Sequence, residues 1–246
     1  SCIDACYGIS MYAEQQNQAI CHMLCTGCHS TCRLHFTRGE KFMQVPDRGE
    51  SARQLWEARQ QRKKNREQFE ANRPEYENSI RRLMERIQNT LLVDLQPVPE
   101  KSRQGKLMGE AVWRAVYLED DRVFLKNSEE ERQNVSVDLM LDASASRMGH
   151  EAVIAAQGYV IAESLIRCGI PVQVYSFSTI QNYTVMRLFR GYEEKEKNRG
   201  ILDYVAAGWN RDGLALRAAG HLAGQSSCEK RLLIVLTDAS PNDEQR

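Results

Sequence analysis

The sequence predicts an α/β fold over residues 135–246: a mainly parallel sheet flanked by helices and preceded by a mostly helical N-terminal region. Three observations carry this prediction. Val135, Val137, Leu139 and Leu141 alternate into a strand that ends at Asp142. A helical pattern follows at once through Val153, Ile154, Val160, Ile161, Leu165 and Cys168. The apolar run Leu232 to Leu236, long enough for a strand covered on both faces, ends at a second aspartate, Asp238.

Residues 1–49 are Cys-rich and read as a helical segment. Six of the eight cysteines fall within the first 32 residues, and Cys21, Cys25, Cys28 and Cys32 recur at three- and four-residue spacing, which places all four on one helix face. A buried stripe of small residues is the simpler meaning of that spacing. The other is metal: Cys21-x3-Cys25-x2-Cys28 resembles the iron–sulfur motif of radical S-adenosylmethionine enzymes, and His22, His29 and Cys32 could complete a zinc site. The chain has no room for the long β/α barrel of those enzymes. With so few cysteines beyond residue 32, the distribution favours a reducing compartment over a disulfide framework.

Residues 50–134 form a charged helical region and a linker. Strong helix formers dominate the first part, which is expected to be a solvated helix interrupted near Pro74. Lys63, Lys64 and Arg66 are interleaved with Glu57, Glu67, Glu70, Glu75 and Glu77, the pattern of a solvated charged face and not of a nucleic-acid surface. Ile80, Leu83, Met84 and Ile87, at i, i+3, i+4 and i+7, make a short amphipathic helix. Pro97 and Pro99 end this charged region. A linker-like stretch follows, holding an apolar cluster at Val112 to Leu118 and an acidic run at Glu129 to Glu131.

Beyond the opening β-α unit, Gly169 and Pro171 stop the helix. Val172 to Phe177 reads as a second strand and Tyr183 to Phe189 as its hairpin partner. A charged stretch is expected to lead into a helix ending near Ala207. The next helix begins around Asp212, with Leu214, Leu216 and Leu222 as its apolar positions, and Arg231 to Thr237 supplies the last strand.

The totals exclude several classes of function. Thirty-three basic residues cancel thirty-three acidic ones, so no whole-chain field draws in nucleic acid or an anionic membrane. No apolar run reaches the roughly 20 residues of a transmembrane helix, and no signal peptide is visible. A soluble protein is expected. Ser1 in place of Met, and an end at Arg246 soon after a strand, suggest that both ends are cropped and that the α/β domain is C-terminally incomplete.

In open α/β sheets, ligands gather beyond the carboxyl ends of the strands, where Asp142 and Asp238 sit. The run Asp142-Ala143-Ser144-Ala145-Ser146 turns directly after its strand and offers one carboxylate and two hydroxyls to one point. Such an oxygen-only set suits a small hard cation, Mg²⁺ or Mn²⁺, which takes about six oxygen ligands and keeps several waters. Neutral hydroxyls leave net positive charge on the ion, so a carboxylate from another protein can complete its shell.

Asp-x-Ser-x-Ser after a hydrophobic strand resembles the metal-ion-dependent adhesion site of von Willebrand factor A (vWA) domains, whose sheet is Rossmann-like. The second loop of that family corresponds to Asn210-Arg211-Asp212-Gly213-Leu214-Ala215-Leu216, and the third to Thr237-Asp238. The family's usual second-loop threonine is missing, and either Asn210 or Asp212 stands in. Asn210 could equally cap the following helix. The wording of the second loop and of Thr237 to Asp243 is similar to a bacterial intracellular subgroup that includes nitric-oxide-reductase activation proteins and the vWA subunit of cobaltochelatase. The resemblance implies a cytoplasmic location, a MoxR-type AAA+ ATPase as partner, and a role in maturation of, or metal insertion into, a client protein.

Enzyme readings lose on inspection. Neither Gly-x-Ser-x-Gly nor Gly-x4-Gly-Lys-Ser/Thr occurs. His150-Glu151 opens like a zinc-protease motif, but its second histidine would fall on Ile154. An aspartyl phosphatase built on Asp142 would carry an acid two residues later, where Ser144 stands. A non-catalytic, metal-dependent interaction module is expected. The alternative is a zinc- or cluster-binding redox protein or metallochaperone that uses the N-terminal cysteines.

Overall fold

A computed structural model describes residues 2–39, 49–90, 100–102, 106–107, 124–126 and 135–238. The apolar cluster at 112–118, the acidic run at 129–131 and the prolines at 97 and 99 lie outside the described residues. The centre of the molecule is β5, Val135–Asp142, buried along its whole length. Its neighbours are β6, Val172–Ile180, and β8, Lys230–Leu236, and both run parallel to it. Strand β7, Tyr183–Arg190, returns antiparallel from β6 as the hairpin partner that the sequence suggests. β1, Arg33–Thr37, completes the sheet parallel to β7, in the order β1-β7-β6-β5-β8. Glu100–Ser102, Lys106–Leu107 and Phe124–Lys126, strands β2 to β4, form a separate small sheet in the order β2-β4-β3.

Helices cover both faces: one face of β5 is wholly apolar and must be shielded from water, and the other, although it carries Ser136 and Asp138, is buried as well. On one side Val137, Leu139 and Leu141 pack with α3, Glu50–Ala71, α4, Arg73–Asn89, and α5, Glu151–Arg167. On the other, Met140, Tyr175 and Phe177 pack with α2, Glu14–Leu24, and α6, Asp212–Ala223. A short α1, Cys2–Tyr7, touches α3. Helix α5 comes close enough to the sheet that a Cβ on Gly158 would stand 3.2 Å from Ile201 and 3.3 Å from Leu141.

Four sequence expectations need correction. The Cys-rich opening is helical only in part. Gly27, at φ +65°, turns the chain after α2, and β1 follows with Leu34 and Phe36 fully buried in the main sheet. The charged helix α3 is not solvated all round: Asn65 is fully buried, Phe69 nearly so, and Phe69 lies edge-on to Tyr159 of α5 with ring centres 4.7 Å apart. The stretch expected as a helix to Ala207 is a 3-10 helix, Lys195–Asp203, that gives way to extended chain. There the backbone bonds outward instead, Ala207 N donating to Ala143 O at 2.7 Å. Leu216 is exposed, because the buried face of α6 runs through Leu214, Ala215, Ala218, Ala219 and Leu222, the helical period that puts Leu216 on the far side.

The break between α3 and α4 falls at Asn72, with Pro74 in the first turn of α4, where a missing N–H costs nothing. Ile80 and Ile87 are the buried residues of α4, and Leu83 packs beside them.

Candidate metal centre at the sheet edge

Because β5, β6 and β8 are parallel, their carboxyl ends open on one edge of the sheet, and the loops that follow them meet there. The first loop leaves β5 at Asp142, whose side chain is fully buried. Asp142 Oδ1 accepts the Ser144 N–H at 2.9 Å, a local turn that folds the loop back over the strand end. Asp142 Oδ2 accepts from Thr237 Oγ1 at 3.2 Å, which ties the first loop to the third. Tyr204, fully buried, donates its hydroxyl to the Asp142 carbonyl.

The hydroxyls come next. Ser144 Oγ and Ser146 Oγ lie 3.0 Å apart, and Ser146 Oγ donates to Asp238 Oδ2 at 3.2 Å. Asp142, Ser144, Ser146 and Asp238 therefore form one connected set of oxygen donors drawn from two loops. Arg147 closes it: its guanidinium pairs with Asp238 Oδ2 and its Nε donates to Ser146 Oγ at 3.3 Å. Arg147 lies outside the residues that the metal-site motif predicts. A basic residue directly after an Asp-x-Ser-x-Ser run, with an aspartate on the third loop, was the available signal.

The second loop is locked against the first and against β6. Ala145 N donates to Gly208 O at 2.8 Å, and Thr179 and Trp209 exchange two backbone bonds of 2.7 Å each. Gly208 has φ +75°, and a Cβ on it would stand 2.3 Å from Thr179 O, so only glycine lets the loop approach so closely. Asn210 Nδ2 donates to Asp212 Oδ2 at 3.1 Å, which leaves both second-loop candidates on the same loop, in contact with each other. Between them Arg211 is buried and donates to Cys32 Sγ.

The donor set fits a hard divalent cation. It is oxygen-only, includes the carboxylates of Asp142 and Asp238, and already holds a cationic group in Arg147 against one of its carboxylates.

The cysteines are arranged differently from the single-face expectation. Helix α2 stops at Leu24, Cys25 caps it, Cys28 sits exposed on the 3-10 turn Gly27–His29, and Cys32 is buried just before β1. Cys21 Sγ accepts the Leu34 N–H at 3.3 Å. A hydrogen bond from Cys25 holds the Cys21 thiol down to about 6, and the same contact together with burial pushes Cys25 up. Among the described residues, no three His, Cys, Asp or Glu side chains are grouped so as to hold a metal ion.

Residues 123–210 match the model of a family described as the cobalamin biosynthesis protein CobT VWA domain. That range contains Asp142, Ser144, Ser146 and Asn210 and stops short of Asp212 and Asp238. Over 157 residues the chain is 24% identical to Protein NorD of Stutzerimonas stutzeri, an alignment covering 57% of this chain and 26% of that protein. The chain thus spans about a quarter of the length of that curated relative. No solved structure matches the chain significantly.

Proposed function

We propose that the chain, similar over residues 123–210 to the CobT VWA domain and more distantly to Protein NorD, is a vWA-domain protein acting as a non-catalytic, metal-dependent protein-interaction module. One observation carries the reading: Asp142, Ser144, Ser146 and Asp238 converge from separate loops at the carboxyl edge of the sheet as a linked set of oxygen donors. Turn formation alone would account for the Asp142–Ser144 bond. It would not bring Asp238 across from the third loop.

In this proposal Asp142, Ser144, Ser146 and Asp238 hold Mg²⁺ or Mn²⁺, with Asn210 or Asp212 contributing from the second loop. The ion, when bound, supplies a positive centre that accepts a carboxylate from a partner protein. The chain's own part is positional: Asp142 is fixed by Ser144 N–H and Thr237, and Tyr204 braces its backbone. Arg147 occupies Asp238 and would be displaced from it. Ser144, where a phosphatase would place an acid, is engaged with Ser146 and offers no proton donor for a leaving group.

By its resemblance, the partner is a MoxR-type AAA+ ATPase, and the pair works in the cytoplasm on maturation of, or metal insertion into, a client. Affinity purification of tagged full chain in Mg²⁺ is expected to recover an AAA+ ATPase, and Asp142→Ala is expected to lose it. An identical partner set for both proteins would overturn metal-mediated docking.

A further inference from the structure

Beside the metal loops, a cleft of about 660 Å³ opens between α3 and the β6–β7 hairpin. That volume is typical of a small-molecule site, on the order of 300–1,000 Å³. Tyr7, Arg62, Val185 and Arg187 line it, and Met148 and Trp209, both largely exposed, stand in its wall.

Its charges do not balance. Arg187 Nη1 donates to the backbone carbonyl of Asp203 at 3.2 Å, while its Nε is buried without an acceptor. Arg62 Nε is likewise buried without an acceptor. Each guanidinium loses solvation on burial, and Arg62 acts on Arg187 as a repelling neighbour. Among the described residues, the one carboxylate acting on both is Asp203, and it is already taken by Arg66 at 2.7 Å. Of the other acids on the wall, Glu57 pairs with Arg53 at 3.3 Å and Glu151 accepts Gly149 N–H at 2.6 Å. Burial pushes the Tyr7 phenol up to about 12, so it stays protonated as a neutral donor.

Both side chains are half-buried with the Nε of each fully covered, and a cation so placed without a counter-charge is costly, since arginine stays charged. A guanidinium with unused N–H groups is the standard partner of carboxylate and phosphate oxygens. We propose that this cleft binds a small organic anion, a carboxylate or phosphate on a compact apolar body, with Arg62 and Arg187 holding the oxyanion and Val185, Met148 and Trp209 flanking the rest. The site is separate from the metal donors and does not depend on them.

The test is calorimetric titration of the full chain, in buffer freed of metal on a chelating resin, with inorganic phosphate and separately with succinate. Saturable binding of at least one anion is expected, weakened about tenfold or more in Arg62→Gln, since a charge-assisted contact is lost. The Arg62 side chain makes no hydrogen bond among the described residues, so this variant is expected to fold. Lys63→Gln, an exposed site on the same helix outside the cleft, should bind the anion as the unaltered chain does. The relative affinities for phosphate and succinate identify the headgroup. Absence of saturable binding, a smaller loss in Arg62→Gln, or an equal loss in Lys63→Gln would each overturn the proposal.

Discussion

Asp138 is a buried acid that the metal site does not use. Alternation along β5 puts it on the face opposite Val137 and Leu139, a face that a one-sided strand would expose, but α6 covers that face as well. The side chain is fully buried, takes a hydrogen bond from Tyr192, and leaves Oδ1 without a partner. Burial is the main cause raising its pKa, against the opposing bonds from tyrosines. For a carboxyl raised in the folded state, the cost of ionisation is complete above the folded pKa and absent below the unfolded value of about 3.9. Asp138→Asn is therefore expected to stabilise the protein by about 1 kcal/mol at pH 7, with the gain vanishing as pH falls toward 4. Urea unfolding at the two pH values checks this, and a net loss at pH 7 would show that the carboxylate is favourable where it sits.

At the scale of elements, α3 shows how a helix that looks solvated can be anchored by a few residues. Asn65 Nδ2 donates to the carbonyls of Leu202 and Tyr204 at 3.0 and 2.8 Å, and Gln61 steadies the amide at 2.8 Å. These bonds fasten α3 to the segment whose Tyr204 braces Asp142. Asn65→Ala is expected to cost about 2 kcal/mol and to speed amide exchange along α3 before the central strands open. A change below about 0.5 kcal/mol, typical of a surface site, would contradict the anchoring.

None of this was legible in a helix of such low hydrophobicity, because the docking rests on two buried residues, Asn65 and Phe69, among many charged ones. Strand β1 was hidden for another reason. Arg-Leu-His-Phe-Thr is short, lies in a Cys-rich stretch, and pairs with β7 far along the chain, a contact that no local pattern reports. By contrast β5, β6, β7 and β8 were readable, since their apolar residues must alternate or run on wherever the sheet is covered. Asp142, Ser144, Ser146 and Asp238 were readable too, because each follows directly on the end of a legible strand. Arg147 and Tyr204 were not, since their roles depend on where loops return.

Across the whole molecule, the N-terminal segments and the five-stranded sheet share their packing. β1 extends the sheet at one edge, α2 shares a core with α6, and α3 and α4 lie on α5. No described helix is long and apolar enough to cross a membrane. The loops of the candidate metal site open on one edge, with the arginine-lined cleft and the exposed Trp209 and Met148 beside them, so that edge offers charge and apolar surface together. The account rests on that edge holding a divalent cation. Its most direct test is calorimetric titration of Mg²⁺ and Mn²⁺ into the full chain beside an Asp142→Ala/Ser144→Ala variant: saturable binding that disappears in the variant is predicted, and no binding to the unaltered chain, or equal binding to both, would contradict it.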